Sequence, residues 1–314
     1  MWRLIFFLSA VLALVGAPVD TPVEGTPFFR YTSDREQLTF YVSGPVEGRP
    51  LPIVLFIQGT GCGSPFVEEN GRILSGLQSL LHEAGGGGAR IMVVEKPGVR
   101  YLDNPAQPAD HKHCRPEFVR QYDLDRWTRV LVRALDIARM LHGVDRTRTL
   151  VIGHSEGAIV GLRVSNLARN ITHVAALSGG GPTYLFHMSE FFRKKGLDPE
   201  KELYPCWAEV LRDPFSTSRF CWGQSFRQWS SFMRSSLIGE ALQSRSALYF
   251  GHGTRDDQNP ISAFDVLRAE LAAKGRKAIF DRVEHGDHGF DLPGQQPPEG
   301  FNAVFRRILA WILI

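Results

Sequence analysis

Several large classes are excluded by what this chain has little of. Its 314 residues hold four cysteines, Cys62, Cys114, Cys206 and Cys221, and no two of them form a C-x-x-C pair. Neither a zinc ribbon nor a thioredoxin-type redox pair is therefore indicated. There is no charge excess to speak of: 36 Lys and Arg stand against 33 Asp and Glu, a net of +3. With no long basic run either, no nucleic-acid partner is expected. The glycine run Gly85 to Gly88 is not followed by lysine in the spacing of a phosphate-binding loop. The apolar run from Leu4 to Val15 falls short of the roughly 20 residues of a membrane span. Disorder is excluded by an ordinary composition, 43% apolar and 22% charged.

What is present begins with a leader. Met1-Trp2-Arg3 carries one positive charge, the apolar run follows, and Val15-Gly16-Ala17 offers small residues to a signal peptidase, with Pro18 just beyond. Residues 1–17 are read as an export signal or an uncleaved N-terminal anchor. Any membrane contact is expected through that segment alone, and the protein is expected to be secreted or periplasmic. In such a compartment the cysteines would be oxidised. Three pairings are open; Cys62 with Cys114 and Cys206 with Cys221 are favoured, because each would link loops expected near one another.

The proline-rich stretch 18–27 reads as a tether. Two strands are expected at Phe28 to Thr32 and Leu38 to Ser43, joined at Ser33-Asp34-Arg35. Pro52 to Ile57 is apolar and rich in β-branched residues, as a strand buried on both faces of a parallel sheet requires. It ends in Gln58-Gly59-Thr60-Gly61-Cys62-Gly63-Ser64, whose glycines suit a backbone that presents N–H groups to a ligand; a plain glycine-rich loop is the alternative. Helical spacing is read from Phe66 to His82, and again from Phe118 to Leu141 with Trp127, Val130, Leu131, Ala134 and Ile137 on one face. Another buried strand is expected at Ile91 to Val94, and strands at Val174 to Leu177, Ala247 to Phe250 and Lys277 to Val283. Helices are expected at Ile159 to Ala168, Ile261 to Ala273 and Phe301 to Leu313. Alternation of strand and helix means α/β, a mostly parallel sheet with helices on both faces. It is interrupted over 182–245, an aromatic-rich helical stretch read as an inserted cap, most of whose aromatics would form its own core. The main domain is then 28–181 with 246–314.

Gly153-His154-Ser155-Glu156-Gly157 stands where an apolar run, Leu150 to Ile152, gives way to a helix-like stretch. A sharp strand-to-helix turn would hold Ser155 strained and exposed at the positive end of that helix. The same five residues also describe a serine N-cap between permissive glycines. Two further reactive ends follow predicted strands, Asp256 in Gly253-Thr254-Arg255-Asp256 and His288 in Gly286-Asp287-His288-Gly289-Phe290. All three fall at the C-terminal edge, where open α/β sheets place their sites. Asp257 and Asp287 are rival acids, and His252 and His285 rival bases.

The order serine, acid, histidine and these three motifs resemble the α/β-hydrolase superfamily from about Pro52 to the C-terminus. The resemblance implies a nucleophile Ser155, an acid Asp256, a base His288, and an oxyanion hole from the N–H of Glu156 and of Thr60. Many members carry histidine where this chain has Gln58. It further implies an acyl-enzyme mechanism with no metal or organic cofactor, acting on a small acyl substrate of apolar or aromatic character under the cap. A carboxylic ester is the first reading. A thioester, or a peptide as in prolyl-oligopeptidase-type enzymes, whose acid loop Gly251 to Asp257 resembles, is the alternative; only about 50 residues precede the first hydrolase strand here. A non-catalytic binding protein on the same fold remains a third.

Overall fold

The computed structural model describes residues 19–33, 37–44 and 48–313. The expected leader, residues 1–17, lies outside the described residues, as does most of the expected turn after Ser33.

Among the described residues, nine strands form the central sheet. Strand β1 (Val19–Pro22), β2 (Phe28–Ser33) and β3 (Leu38–Ser43) are antiparallel at one side. The stretch expected as a tether is thus partly β1, paired from Val19 opposite Thr32 to Pro22 opposite Phe29. Its prolines conceal it, but an edge strand needs donors on one side only, and Pro22 closes it where pairing stops. Strand β4 (Leu51–Ile57) is buried along its whole length. Ile53, Leu55 and Ile57 face one apolar layer while Val54 and Phe56 face the other, as a strand covered on both sides requires.

After β4 the expected helix from Phe66 is replaced by a hairpin of β5 (Phe66–Glu69) and β6 (Arg72–Ser75). Asn70 and Gly71 take φ of 51° and 73°, the two positive values that a two-residue hairpin turn demands and that Asn-Gly supplies. The helical spacing of Ile73, Leu74 and Leu77 was overridden by that dipeptide, and Leu74 is left 42% exposed. Only α1 (Leu77–Ala84) is helical. Strand β7 (Arg90–Val94) follows. The long helix expected from Phe118 is two, α2 (Pro116–Gln121) and α3 (Leu124–Ala138). Asp123 breaks it by capping α3, accepting from the Arg126 N–H at 2.7 Å.

Strand β8 (Val144–His154) leads into α4 (Glu156–Leu167), and β9 (His173–Leu177) follows. Five helices then intervene: α5 (Tyr184–Lys194), α6 (Pro199–Glu202), α7 (Tyr204–Arg212), α8 (Phe226–Phe232) and α9 (Leu237–Gln243). A short ribbon of β10 (Phe220–Cys221) and β11 (Gln224–Ser225) precedes α8. Phe192, Phe226 and Trp229 pack into a core that belongs to this insertion, whereas Phe215 is 77% exposed. The sheet resumes with β12 (Ala247–Gly253), α10 (Ile261–Ala273), β13 (Ile279–Val283) and α11 (Glu299–Leu313).

The sheet order is β1-β2-β3-β7-β4-β8-β9-β12-β13, and every pairing from β7 to β13 is parallel. Helices α3, α4 and α10 cover one face, and α1 and α11 the other. In register, Ile57 lies opposite Gly153, His154 opposite Leu177, and Leu177 opposite Gly251. The loops after β4, β8, β9 and β12 therefore open on the same edge. Among the described residues, no helix is long and apolar enough to cross a membrane.

Disulfides join Cys62 to Cys114 and Cys206 to Cys221, which points to an oxidising compartment. The first ties the loop after β4 to the segment before α2 across 52 residues. Replacing both Cys62 and Cys114 with serine is expected to cost about 2–4 kcal/mol of stability, read as a lower urea midpoint. An unchanged midpoint would show that this bridge adds nothing to the fold.

Candidate active site

Ser155 occupies the turn between β8 and α4 with φ 57° and ψ −122°. A side-chain-bearing residue there costs about 1–3 kcal/mol and persists only where its surroundings fix it. Two close approaches do so. A Cβ at Gly153 would stand 1.9 Å from the Gly157 carbonyl oxygen, and one at Gly157 would stand 2.3 Å from that of Ile57. Glycine is obligatory at both ends of the turn, and α4 is pressed against the end of β4. The Ser155 N–H donates to Leu177 O at 2.9 Å, anchoring the turn to β9.

Asp256 lies buried in the loop after β12. Its Oδ1 accepts the N–H groups of Gln258 at 2.9 Å and Asn259 at 2.8 Å, while Oδ2 lies 2.9 Å from His288 Nδ1. Burial alone would raise this carboxyl; the His288 hydrogen bond, the two neighbouring histidines and the Asn259 amide outweigh it and hold Asp256 below its ordinary value. A carboxylate opposite Nδ1 requires the proton on Nδ1, which leaves His288 Nε2 as the acceptor.

His288 is itself held from behind. Its carbonyl accepts Ser178 Oγ at 3.0 Å and His154 Nε2 at 3.1 Å. Burial and the nearby His288 push His154 down to about 3, so it is neutral, and Nε2 carries its proton because a carbonyl only accepts. The rings of His154 and His288 lie 4.7 Å apart, which brings the His288 imidazole beside the residue preceding Ser155. Among the described residues Ser155 Oγ makes no hydrogen bond, to His288 or to any other group. Such contacts are commonly open without substrate and close in the complex.

The rival groups make other contacts. Asp257 is exposed and pairs with Lys195 at 3.0 Å. Asp287 Oδ1 accepts the N–H groups of Gly289 and Asp291, shaping its own loop. His285 is exposed. His252 is buried beneath Asp256, with Nε2 3.0 Å from Asn259 O and 3.7 Å from Asp256 Oδ2.

Thr60 and Glu156 line the same cavity as Ser155. A Cβ on Gly59 would stand 3.0 Å from Ser155 Cβ and 3.5 Å from its Oγ, so the loop after β4 touches the turn. Neither the Thr60 nor the Glu156 N–H is taken up by an acceptor among the described residues. A cavity of about 180 Å³ opens here, lined by Thr60, Ser155 and Glu156 and by Tyr184, His187 and Phe191 of α5. Among the described residues His187 Nδ1 has no hydrogen-bond partner, and burial pushes this ring down to about 4. Among the described residues no group of histidine, cysteine and carboxylate side chains is arranged to hold a metal ion.

Sequence reasoning missed four groups around the site: His154, His187, Lys96 and Gln228. His154 sat inside the serine motif, read only as a spacer. Lys96, directly after an apolar strand and a glutamate, offered a signal, since lysine is rarely buried without a partner. His187 and Gln228 offered none.

No protein-family model matches the chain, and no curated protein does. Solved structures do. Est1E from Butyrivibrio proteoclasticus is similar with a TM-score of 0.59 and 14% identity, over 92% of this chain and 99% of its own. Acylaminoacyl peptidase from Pyrococcus horikoshii gives 0.61 at 13% identity, over 99% of this chain and 44% of the peptidase. Dipeptidyl peptidase 4 from Porphyromonas gingivalis gives 0.53 at 14%, over 88% and 34%. The chain thus spans less than half the length of the peptidases it resembles. At such identities the likeness is one of fold: the chain has the α/β-hydrolase fold.

The buried neutral histidines predict acid sensitivity. His111 and His187 are pushed to about 4 and His154 to about 3, chiefly by burial, against about 6.5 in an unfolded chain. The unfolded state therefore binds these protons first. Stability is full above about pH 6.5 and falls as pH drops toward 4, by at most about 1.4 kcal/mol per pH unit for each histidine. Urea midpoints at pH 7.5 and pH 5 should show the loss, and His187→Gln should make it shallower. A midpoint independent of pH would contradict it.

Proposed function

We propose that this chain, an α/β-hydrolase by fold, is a serine hydrolase that cleaves a carboxylic ester through an acyl-enzyme. The observation that carries the reading is the 2.9 Å contact between His288 Nδ1 and the buried Asp256 carboxylate, formed beside a serine held at φ 57°. A serine hydroxyl is a poor nucleophile until a base removes its proton. In this reading Ser155 Oγ attacks the acyl carbon as its proton passes to His288 Nε2. The oxyanion is received by the N–H groups of Thr60 and Glu156. Asp256 keeps the imidazole in the working tautomer and stabilises its charged form. His288 then returns the proton to the departing alcohol, and water repeats the sequence to release the acid.

A cavity of about 180 Å³ with Ile159, Met188, Phe191 and Leu237 among its walls suits a short or single-ring acyl group of apolar character. The disulfides support secretion or a periplasmic location. A peptidase acting on the same machinery is the second reading, favoured by the likeness to acylaminoacyl peptidase.

The test is turnover of p-nitrophenyl esters of increasing acyl length beside an X-Pro-p-nitroanilide. Short esters are expected to be preferred, and Ser155→Ala to lower kcat by about 10⁴-fold or more. Anilide turnover exceeding ester turnover would favour the peptidase. Ester turnover surviving in Ser155→Ala would overturn both readings.

A further inference from the structure

Lys96 stands just past β7 and is buried, with a side chain showing no exposed surface. Its Nζ donates to Gly59 O at 2.5 Å and to Gly61 O at 2.9 Å, and Glu156 Oε1 lies 3.5 Å away. Three oxygens thus surround a group with three N–H bonds to give. Burial pushes the ammonium toward neutrality and the Glu156 carboxylate pushes back.

The two ends of this pair are not ordinary structural positions. The Gly59 carbonyl and the Thr60 N–H belong to one planar trans peptide and point in opposite directions. Fixing that carbonyl fixes where the Thr60 N–H aims, and a cation on the oxygen polarises the N–H as a donor. At the other end, Glu156 is the first residue of α4, directly after Ser155, and no acceptor among the described residues takes up its N–H. Its carboxylate is gripped by Tyr122 Oη, by Gln228 Nε2 at 2.8 Å and by Thr60 Oγ1 at 3.5 Å. One ion pair therefore ties together the two loops that carry the two donors, and Gln228 of α8 joins the inserted helices to it. Stability gives little reason for such a pair, since buried ion pairs are often replaceable by apolar residues without loss. We infer that Lys96 is a positioning residue for the oxyanion hole, holding the Gly59–Thr60 peptide so that the Thr60 and Glu156 N–H groups converge on the reacting oxygen. The inference rests on the serine-hydrolase reading above.

The test removes both charges, so that neither is left buried alone. Lys96→Met/Glu156→Gln is compared with wild type for melting temperature, for kcat and KM on the best p-nitrophenyl ester, and for affinity toward phenylboronic acid, whose tetrahedral adduct occupies the oxyanion position. The expected result is cooperative melting, KM within about threefold, and kcat reduced roughly 10- to 10³-fold, with boronate affinity reduced in parallel. A folded variant with wild-type kcat and boronate affinity overturns the inference, as does a loss confined to KM. If the methionine variant does not fold, Lys96→Gln/Glu156→Gln keeps an N–H donor at position 96. A kcat loss of about tenfold or more at unchanged KM supports the inference in that variant, and unchanged kcat overturns it. Ester turnover that survives Ser155→Ala overturns the underlying reading instead, and the inference with it.

Discussion

The turn between β8 and α4 sets the rest of the site, because two backbones meet there with no room for a Cβ. Gly157 lies against the Ile57 carbonyl and Gly153 against the Gly157 carbonyl. That contact seats α4 on the end of β4, so the loop leaving β4 passes directly over Ser155. Leu177 O, at the end of β9, accepts the Ser155 N–H, and the parallel register carries the same edge on to β12. Without the glycines the strands would still pair, but the serine, the loop after β4 and the Asp256 loop would not share one small volume.

Electrostatics complete what packing begins. Asp256 is surrounded by donors on both oxygens, so it stays ionised in spite of burial. The histidines His154 and His187 are kept neutral by the same burial, leaving one charged acceptor aimed at His288. On the far side of the serine, Lys96 and Glu156 form a second buried pair. Each loop at the sheet edge is thereby fixed by a polar contact to an element distant in sequence, which makes the geometry a property of the whole fold.

The parallel strands β4, β7, β9 and β12 were legible because their apolar runs are continuous and each ends in glycine or a polar cluster. The positions expected to react, Ser155, Asp256 and His288, could be picked out because each follows an expected strand, and the fold brings His288 Nδ1 within 2.9 Å of Asp256 Oδ2. Other elements failed for local reasons. The Asn70-Gly71 turn defeats a helical reading of 66–82, and Asp123 splits the helix expected over 118–141. The β1 strand, four residues ending in Pro22, carries too little pattern to be seen. Apart from the hint at Lys96, the network of Lys96, Tyr122, Glu156 and Gln228 was not legible, for a different reason. Its members are far apart in the chain, and no local pattern announces a partner that only the fold brings near.

The most direct measurement is intact-mass and peptide analysis after exposure of the folded protein to a fluorophosphonate. An activated serine at this turn predicts a single stoichiometric adduct on Ser155, absent from Ser155→Ala and from the heat-unfolded chain. A folded protein that takes up no label while a control serine hydrolase is fully modified, or one labelled at another serine, would contradict the assignment of Ser155 as the nucleophile.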